Sequence, residues 1–461
     1  MGIADKLSLD IARHVSEFRA EDLPETALHA AKRALLDGLG VMLAASGESA
    51  DVRPFVAHAL ASGEGPSRIL GHDAGVHPEM AAFANGAMAH ALDFEDAFDA
   101  APGHPNAALL PAVLALADAN GPVSGRDLLA AIAIGCDLAC RLGLSLRREM
   151  EAGGWYPPPI LGAFGAVAAA ARIHRLDAGQ VRDAFSLMLC QATMPGEIKY
   201  SHDTVIRAIR EAFPAQAAVR SAALALLGVR GFEEPFEGKA GFFRLYAEGQ
   251  FEPTAILDGL GQHFLIEELT FKRWPACRGT HAYIEAIQSL KAEHGIEPAD
   301  VEAIVAVGGE VQRMLIEPLA RKQAPATAID AKFSIPFTIA AALAEREVTL
   351  DSFTPDALAD AARLAIAARV TYEQRLDWGR ANAAAGGLRL TCRDGRQLDK
   401  WVDIATGHPT RPLSDAQLTA KFVDCARRAH VPLGEALARK LADAVWRLET
   451  SDDVSATLSQ N

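Results

Sequence analysis

The chain has 461 residues, too many for one ordinary core, so two domains are expected. Half of the residues are hydrophobic and only 6% aromatic, with alanine and leucine carrying most of the apolar content, a composition that favours helix. Acidic residues outnumber basic ones by 59 to 45, a net charge of -14 with no lysine-rich run, which argues against a nucleic-acid or anionic-membrane surface and requires any anion receptor to be assembled locally.

The N-terminal stretch is charged and amphipathic, without a basic, apolar, cleavable leader. Leu23-Pro24 opens a long helix in which Ala31, Leu35, Leu39 and Met42 recur at helical spacing. Ser124 and Asp127 cap the apolar run 128–144, and Asp177 with Gln180 forms a capping-box signature ahead of 181–192. Gly162, Gly165, Ala166, Ala169 and Ala170 make one small-residue helix face suited to close packing. Apolar runs such as 109–117 and 128–134 are interrupted before the roughly 20 residues that a membrane span needs.

The texture changes near residue 262. Segments 264–271, 301–307, 368–372 and 388–392 read as short strands, Asp394-Gly395 as a hairpin turn, and 277–294 and 328–345 as intervening helices. After Pro412 two amphipathic helices follow, over 414–428 and 433–448. The expected fold is therefore mainly α: a large all-helical domain formed by both chain ends (residues 1–262 and 408–461) with an inserted smaller α+β domain (263–407). Six cysteines, none in a C-x-x-C pair, fit reduced thiols in a soluble cytoplasmic protein.

Four segments carry candidate chemistry. His90 and Asp93 are one helical turn apart, so the spacing puts them on one face, in the acidic run Asp93-Phe94-Glu95-Asp96. A small-residue loop then delivers His104, with Pro105 at a first helical position, to a helix N-cap. There, unpaired N–H groups suit a carboxylate beside an imidazole. Such acidic runs more often form a solvated helix end. Lys199 and His202 offer a cation and an imidazole within one turn, a pattern that surface solvation produces more often. Lys272, Arg278 and His281 are expected to converge on one helix start as a carboxylate receptor, with Cys277 read as a half-buried turn residue rather than a nucleophile. Lys332 precedes a helix with Pro336 inside it and reads equally as structural.

Together, and in this order, His90 to Asp96 followed by His104-Pro105, then Lys272 to His281, then Ala331-Lys332-Phe333-Ser334-Ile335-Pro336 resemble the MmgE/PrpD family. Its members include 2-methylcitrate dehydratase, cis-aconitate decarboxylase and iminodisuccinate epimerase. The resemblance implies a homodimer with an active site between a helical domain and an α+β lid, acting without metal, iron–sulfur cluster or nucleotide. It implies proton transfer next to a carboxylate of a small di- or tricarboxylate. His104, Asp93 and His202 would be catalytic, and Lys199, Lys272, His281 and Arg278 would bind substrate.

Dehydration of a 2-methylcitrate-like substrate leads, with epimerisation or cis-aconitate-type decarboxylation as the alternative. A non-catalytic binding protein and a metal hydrolase using His104, His202, His281 and Asp93 are the readings from other classes. Two departures fall where substrate is expected: Ala97 replaces a usual threonine or serine, and 204–210 is bulkier than the family's glycine-rich stretch and adds the cations Arg207 and Arg210.

Overall fold

The computed structural model describes residues 6–101, 103–201, 204–379 and 382–459. The protein is mainly α, 59% helix and 9% strand, and forms two compact units. The first comprises Met1–Ala91, Glu95–Leu269 and Ser414–Asn461, the second Leu92–Phe94 and Thr270–Leu413. The breaks at 269/270 and 413/414 lie slightly beyond those expected from texture, and no sequence signal announced that Leu92–Phe94 belongs to the second unit.

The first unit runs through α1 (Leu7–Glu17), α2 (Glu25–Glu48), α3 (Arg53–Leu60), a short antiparallel pair β1 (Glu64–Arg68) and β2 (Gly75–Val76), and α4 (Pro78–Ala91). It continues with α5 (Pro105–Ala119), α6 (Gly125–Ser145), α7 (Pro157–Ile173), α8 (Ala178–Leu189), α9 (Ile206–Ile209), α10 (Ala212–Leu226), α11 (Phe242–Ala247) and α12 (Thr254–Leu257). The β1–β2 pair corrects the all-helical expectation. Gly71, at φ +75°, makes the turn that no side-chain-bearing residue enters cheaply, and the buried Ser67 hydroxyl donates to the Ala115 carbonyl at 2.6 Å.

Small residues set the packing of α4, α5, α6, α7 and α10. A methyl group built on Gly165 would lie 2.4 Å from the Gly135 carbonyl oxygen, so α6 and α7 touch backbone to backbone. The apolar run of α6 is not broken where the sequence suggested. By length and composition Gly125–Ser145 is long and apolar enough to cross a membrane, yet 89% of its most apolar 18-residue stretch is buried inside the protein, and it carries the buried Asp137–Arg141 ion pair. It is a core helix, started by Ser124, whose side chain accepts from the Asp127 N–H.

The second unit contains α13 (His281–His294), β3 (Val301–Gly308), α14 (Glu310–Arg313), α15 (Leu319–Gln323), α16 (Ala328–Lys332), α17 (Ile335–Ala344), α18 (Pro355–Ala359), α19 (Ala361–Ala367), β4 (Val370–Gln374), β5 (Gly386–Cys392) and β6 (Gln397–Val402). The sheet order is β4-β3-β5-β6, with β3 and β4 parallel and the other pairs antiparallel. Leu388, Leu390 and Cys392 point inward while Arg389 points out, the period of two that made β5 readable. Segment 264–271 is not a strand: a 3-10 turn covers Leu265–Glu268. The helix expected over 328–345 is two helices. The Ser334 hydroxyl caps α17 by accepting from the Phe337 N–H at 3.0 Å, so Pro336 starts a helix instead of bending one.

The chain returns to the first unit with α20 (Asp415–Arg427), α21 (Glu435–Trp446) and α22 (Val454–Thr457). Lys421 pairs with buried Asp37 of α2 at 2.7 Å, and Lys32 with Glu449 at 3.0 Å, so charge pairs as well as apolar faces hold the two chain ends together.

Candidate functional site

In the first unit α4 stops at Ala91, and the chain re-enters that unit at Glu95. Pro105 begins α5 with His104 as the N-cap residue, as the sequence implied. The His104 side chain makes no cap bond, so the ring turns elsewhere: Nδ1 lies 2.9 Å from the Asp96 carbonyl and 3.0 Å from Glu95 Oε1. A carbonyl only accepts, so Nδ1 carries the proton and Nε2 presents its lone pair.

Glu95 serves a second imidazole. His90 Nδ1 bonds the same Oε1, and Nε2 of His90 receives an N–H from the Arg210 guanidinium. The two rings are 5.0 Å apart at 57°. Arg210 also donates from Nε to Glu211 at 3.1 Å, donates to the Arg207 carbonyl at 3.0 Å, and lies over the Tyr156 ring at 5.2 Å. Burial pushes the Glu211 carboxyl up, against the pull of Arg210 and His104. The His90 and Arg210 side chains are fully buried and those of Glu95 and Glu211 nearly so, whereas His104 is 16% exposed: one imidazole reaches outward from an enclosed polar chain.

His90, Glu95 and His104 have metal-ligand chemistry, but both His90 nitrogens are engaged and a guanidinium sits on one of them. A second cation there would be repelled. The donor set fits a hydrogen-bonded proton chain better than a metal centre.

Lys199 ends a 3-10 turn, Gly196–Lys199, with Nζ 3.4 Å from Glu151 and 5.6 Å from the centre of the Tyr156 ring. His202, its expected companion, lies outside the described residues. Ala97 is buried.

The second unit has its own polar cluster. Asp93 lies beyond the end of α4 at φ +48°, which corrects the expectation that it shares a helix face with His90. Fully buried Lys272 donates to Asp93 Oδ1 at 2.5 Å and to the Asp93 carbonyl at 3.0 Å, while Lys332 donates to the Leu92 carbonyl at 2.5 Å. His281 begins α13, and its Nε2 donates to the Ala276 carbonyl at 3.1 Å. Arg278 donates to the carbonyls of Ala405 at 3.1 Å and Thr406 at 3.3 Å. Lys272 and Arg278 thus reach different partners, Asp93 and the 405–406 backbone, where sequence had them converging on the start of α13.

Sequence reasoning placed His90 and Glu95 in the motif that leads to His104 without giving either a role, and missed Arg210 and Glu211 as parts of the cluster. Glu95 and His90 were visible in the acidic motif, but nothing local ties Arg210 to residues 120 positions earlier.

Residues 9–254 match the MmgE/PrpD N-terminal domain and residues 274–448 the MmgE/PrpD C-terminal domain. The chain belongs to the MmgE/PrpD family. Among curated relatives of this MmgE/PrpD protein, "Cis-aconitate decarboxylase-like protein oryM" of Aspergillus oryzae is 25% identical, covering 98% of this chain and 96% of the relative. "Cis-aconitate decarboxylase" of Homo sapiens is 28% identical over 75% of this chain and 72% of the relative, and that of Aspergillus terreus 22% over 97% and 94%.

Proposed function

We propose that this MmgE/PrpD enzyme is a cofactor-independent carbon–carbon lyase that decarboxylates a small unsaturated tricarboxylate of the cis-aconitate type, with His104 moving the proton. The relatives' names favour decarboxylation over the dehydration of a 2-methylcitrate-like substrate that sequence reading put first. The observation that carries the reading is His104 itself: its Nδ1 proton is committed to the Asp96 carbonyl and Glu95, and it is the least buried member of its cluster, so Nε2 is the atom available for exchange.

In the proposed step the bond from carbon to one carboxylate breaks, carbon dioxide leaves, and the electron pair stays on carbon, spread over the adjacent double bond and a remaining carboxylate. A proton from Nε2 of protonated His104 quenches that charge, while the neighbouring Glu95 carboxylate faces the positive ring. Lys199, in the same unit, is the proposed partner for a substrate carboxylate. For Asp93, His202, Lys272, Arg278 and His281, catalytic or substrate-binding roles rest on the family resemblance, as does the homodimer; the proposed cytoplasmic location rests on the unpaired pattern of the cysteines.

Incubation with cis-aconitate in deuterated water tests the reading: carbon dioxide release with one deuterium in the dicarboxylate product is expected, and His104→Gln lowers the rate by about 10²–10⁴ without loss of fold. Dehydration of 2-methylcitrate without carbon dioxide release from cis-aconitate would restore the other order, and full turnover by His104→Gln would remove His104 from the chemistry.

A further inference from the structure

Arg210 lies in the segment where this chain departs from the family pattern, yet it is wholly buried, with Nε and one NH group directed at named partners. One NH group meets Nε2 of His90, Nε meets Glu211, and the guanidinium plane covers Tyr156. An arginine always donates, so the His90 nitrogen facing it must accept. That leaves the His90 proton on Nδ1, where it points at Glu95 Oε1, the oxygen 3.0 Å from His104 Nδ1.

The approach is built into the backbone. Gly86 is one turn before His90 on α4, and a methyl group there would lie 2.7 Å from the Glu211 carbonyl oxygen and 2.9 Å from the Ala212 Cα. Its missing side chain lets the start of α10 lie against α4 and places Arg210 on His90. Glu211 occupies Nε of the arginine and leaves the NH group on His90 in place; burial raises its carboxyl, and its Oε2 has no hydrogen-bond partner.

We propose that Arg210 is a positioning residue for the reaction: by capping Nε2 of His90 it commits that ring's proton to Nδ1, so that His90 grips Glu95 and Glu95 holds His104 with Nε2 outward. The inference rests on the proton-transfer reading of His104. Among the described residues of this unit, the charged and titratable groups that face these residues include Glu95 and Asp96 after α4, Arg207 before Arg210, Glu211, Tyr156 ahead of α7, and Cys136 and Cys140 on α6; α7 contributes Pro158, Leu161 and Gly162.

Nitrogen-15 labelling of histidine in the wild-type enzyme reads the first link without any substrate. His90 is expected as the Nδ1–H form near neutral pH, and a proton on its Nε2 overturns the proposal. With cis-aconitate, Arg210→Met is expected to lower kcat 10–100-fold with KM changed less than threefold, and to let His90 take a second proton. Arg210→Lys, which still donates to Nε2, should recover most of kcat. If Arg210→Lys is as poor as Arg210→Met while both lose thermal stability, Arg210 is a packing residue and the proposal fails. Should Arg210→Met not fold, the wild-type His90 signal and Arg210→Lys decide. His104→Gln separates the two readings: an active His104→Gln enzyme sinks the proton-transfer reading, whereas an inactive one beside an unaffected Arg210→Met enzyme sinks only the role of Arg210.

Discussion

Asp93 occupies left-handed backbone at φ +48°, a region that aspartate enters more readily than most residues because its short side chain bonds locally. That kink turns its carboxylate onto Lys272, both being buried. Lys272→Met removes one partner of a buried pair and leaves Asp93 charged in a poor solvent, so a loss of about 3–5 kcal/mol is expected from the denaturant midpoint. A change under about 1 kcal/mol would mean that the carboxylate is compensated elsewhere. The kink also explains what sequence could and could not reveal. His104 was legible as an N-cap because Pro105 follows it directly. The helical spacing of His90 and Asp93 misled because α4 ends at Ala91, between them, and it turned attention from Glu95, two residues further, which the His104 ring meets.

Helices were the most legible elements, since their caps are local. The Ser124 cap and the Asp177 capping box both form, and Ser414 adds another capping box. Failures came where a short apolar segment carried no period. Segment 264–271 has the composition of a strand, but among the sheet's strands none pairs with it. The close approach of α6 and α7 gives a test at this scale. Alanine is the better helix former by about 1 kcal/mol. Even so, Gly165→Ala would place a methyl group 2.4 Å from the Gly135 carbonyl oxygen and 2.9 Å from the Ala139 Cβ. Backbone cannot yield as a side-chain tip can, so a net loss of about 1–3 kcal/mol is expected in thermal denaturation. A stabilised variant would show that the two helices slide apart cheaply.

The fold also stores a response to acid in buried titratable groups. His14 on α1 is held down to about 4 by burial and by Arg141 and Arg172, against 6.5 in an unfolded chain. Between those values the unfolded chain binds the proton and the folded one does not. Its contribution is therefore whole above pH 6.5 and is lost as pH falls toward 4, about 3 kcal/mol in all. His14→Gln should flatten unfolding free energy across that window, and an unchanged slope would place the acid sensitivity elsewhere. Glu211 has the opposite sign: with its carboxyl raised by burial in the folded state, it contributes most at low pH and less as pH rises past the ordinary carboxylate range.

The tripeptide Leu92–Phe94 belongs to a unit whose remaining residues begin at Thr270. Ribosomal synthesis therefore delivers this fragment long before the rest of its own unit exists, and Lys272 and Lys332 find their acceptors, the Asp93 carboxylate and the Leu92 carbonyl, only by a long-range closure. A truncated protein made of residues 270–413 alone would deprive two buried ammonium groups of these acceptors. It should stay unfolded by circular dichroism unless those three residues are restored through a short linker, and a cooperative melt of the bare fragment would show that the borrowed tripeptide is dispensable.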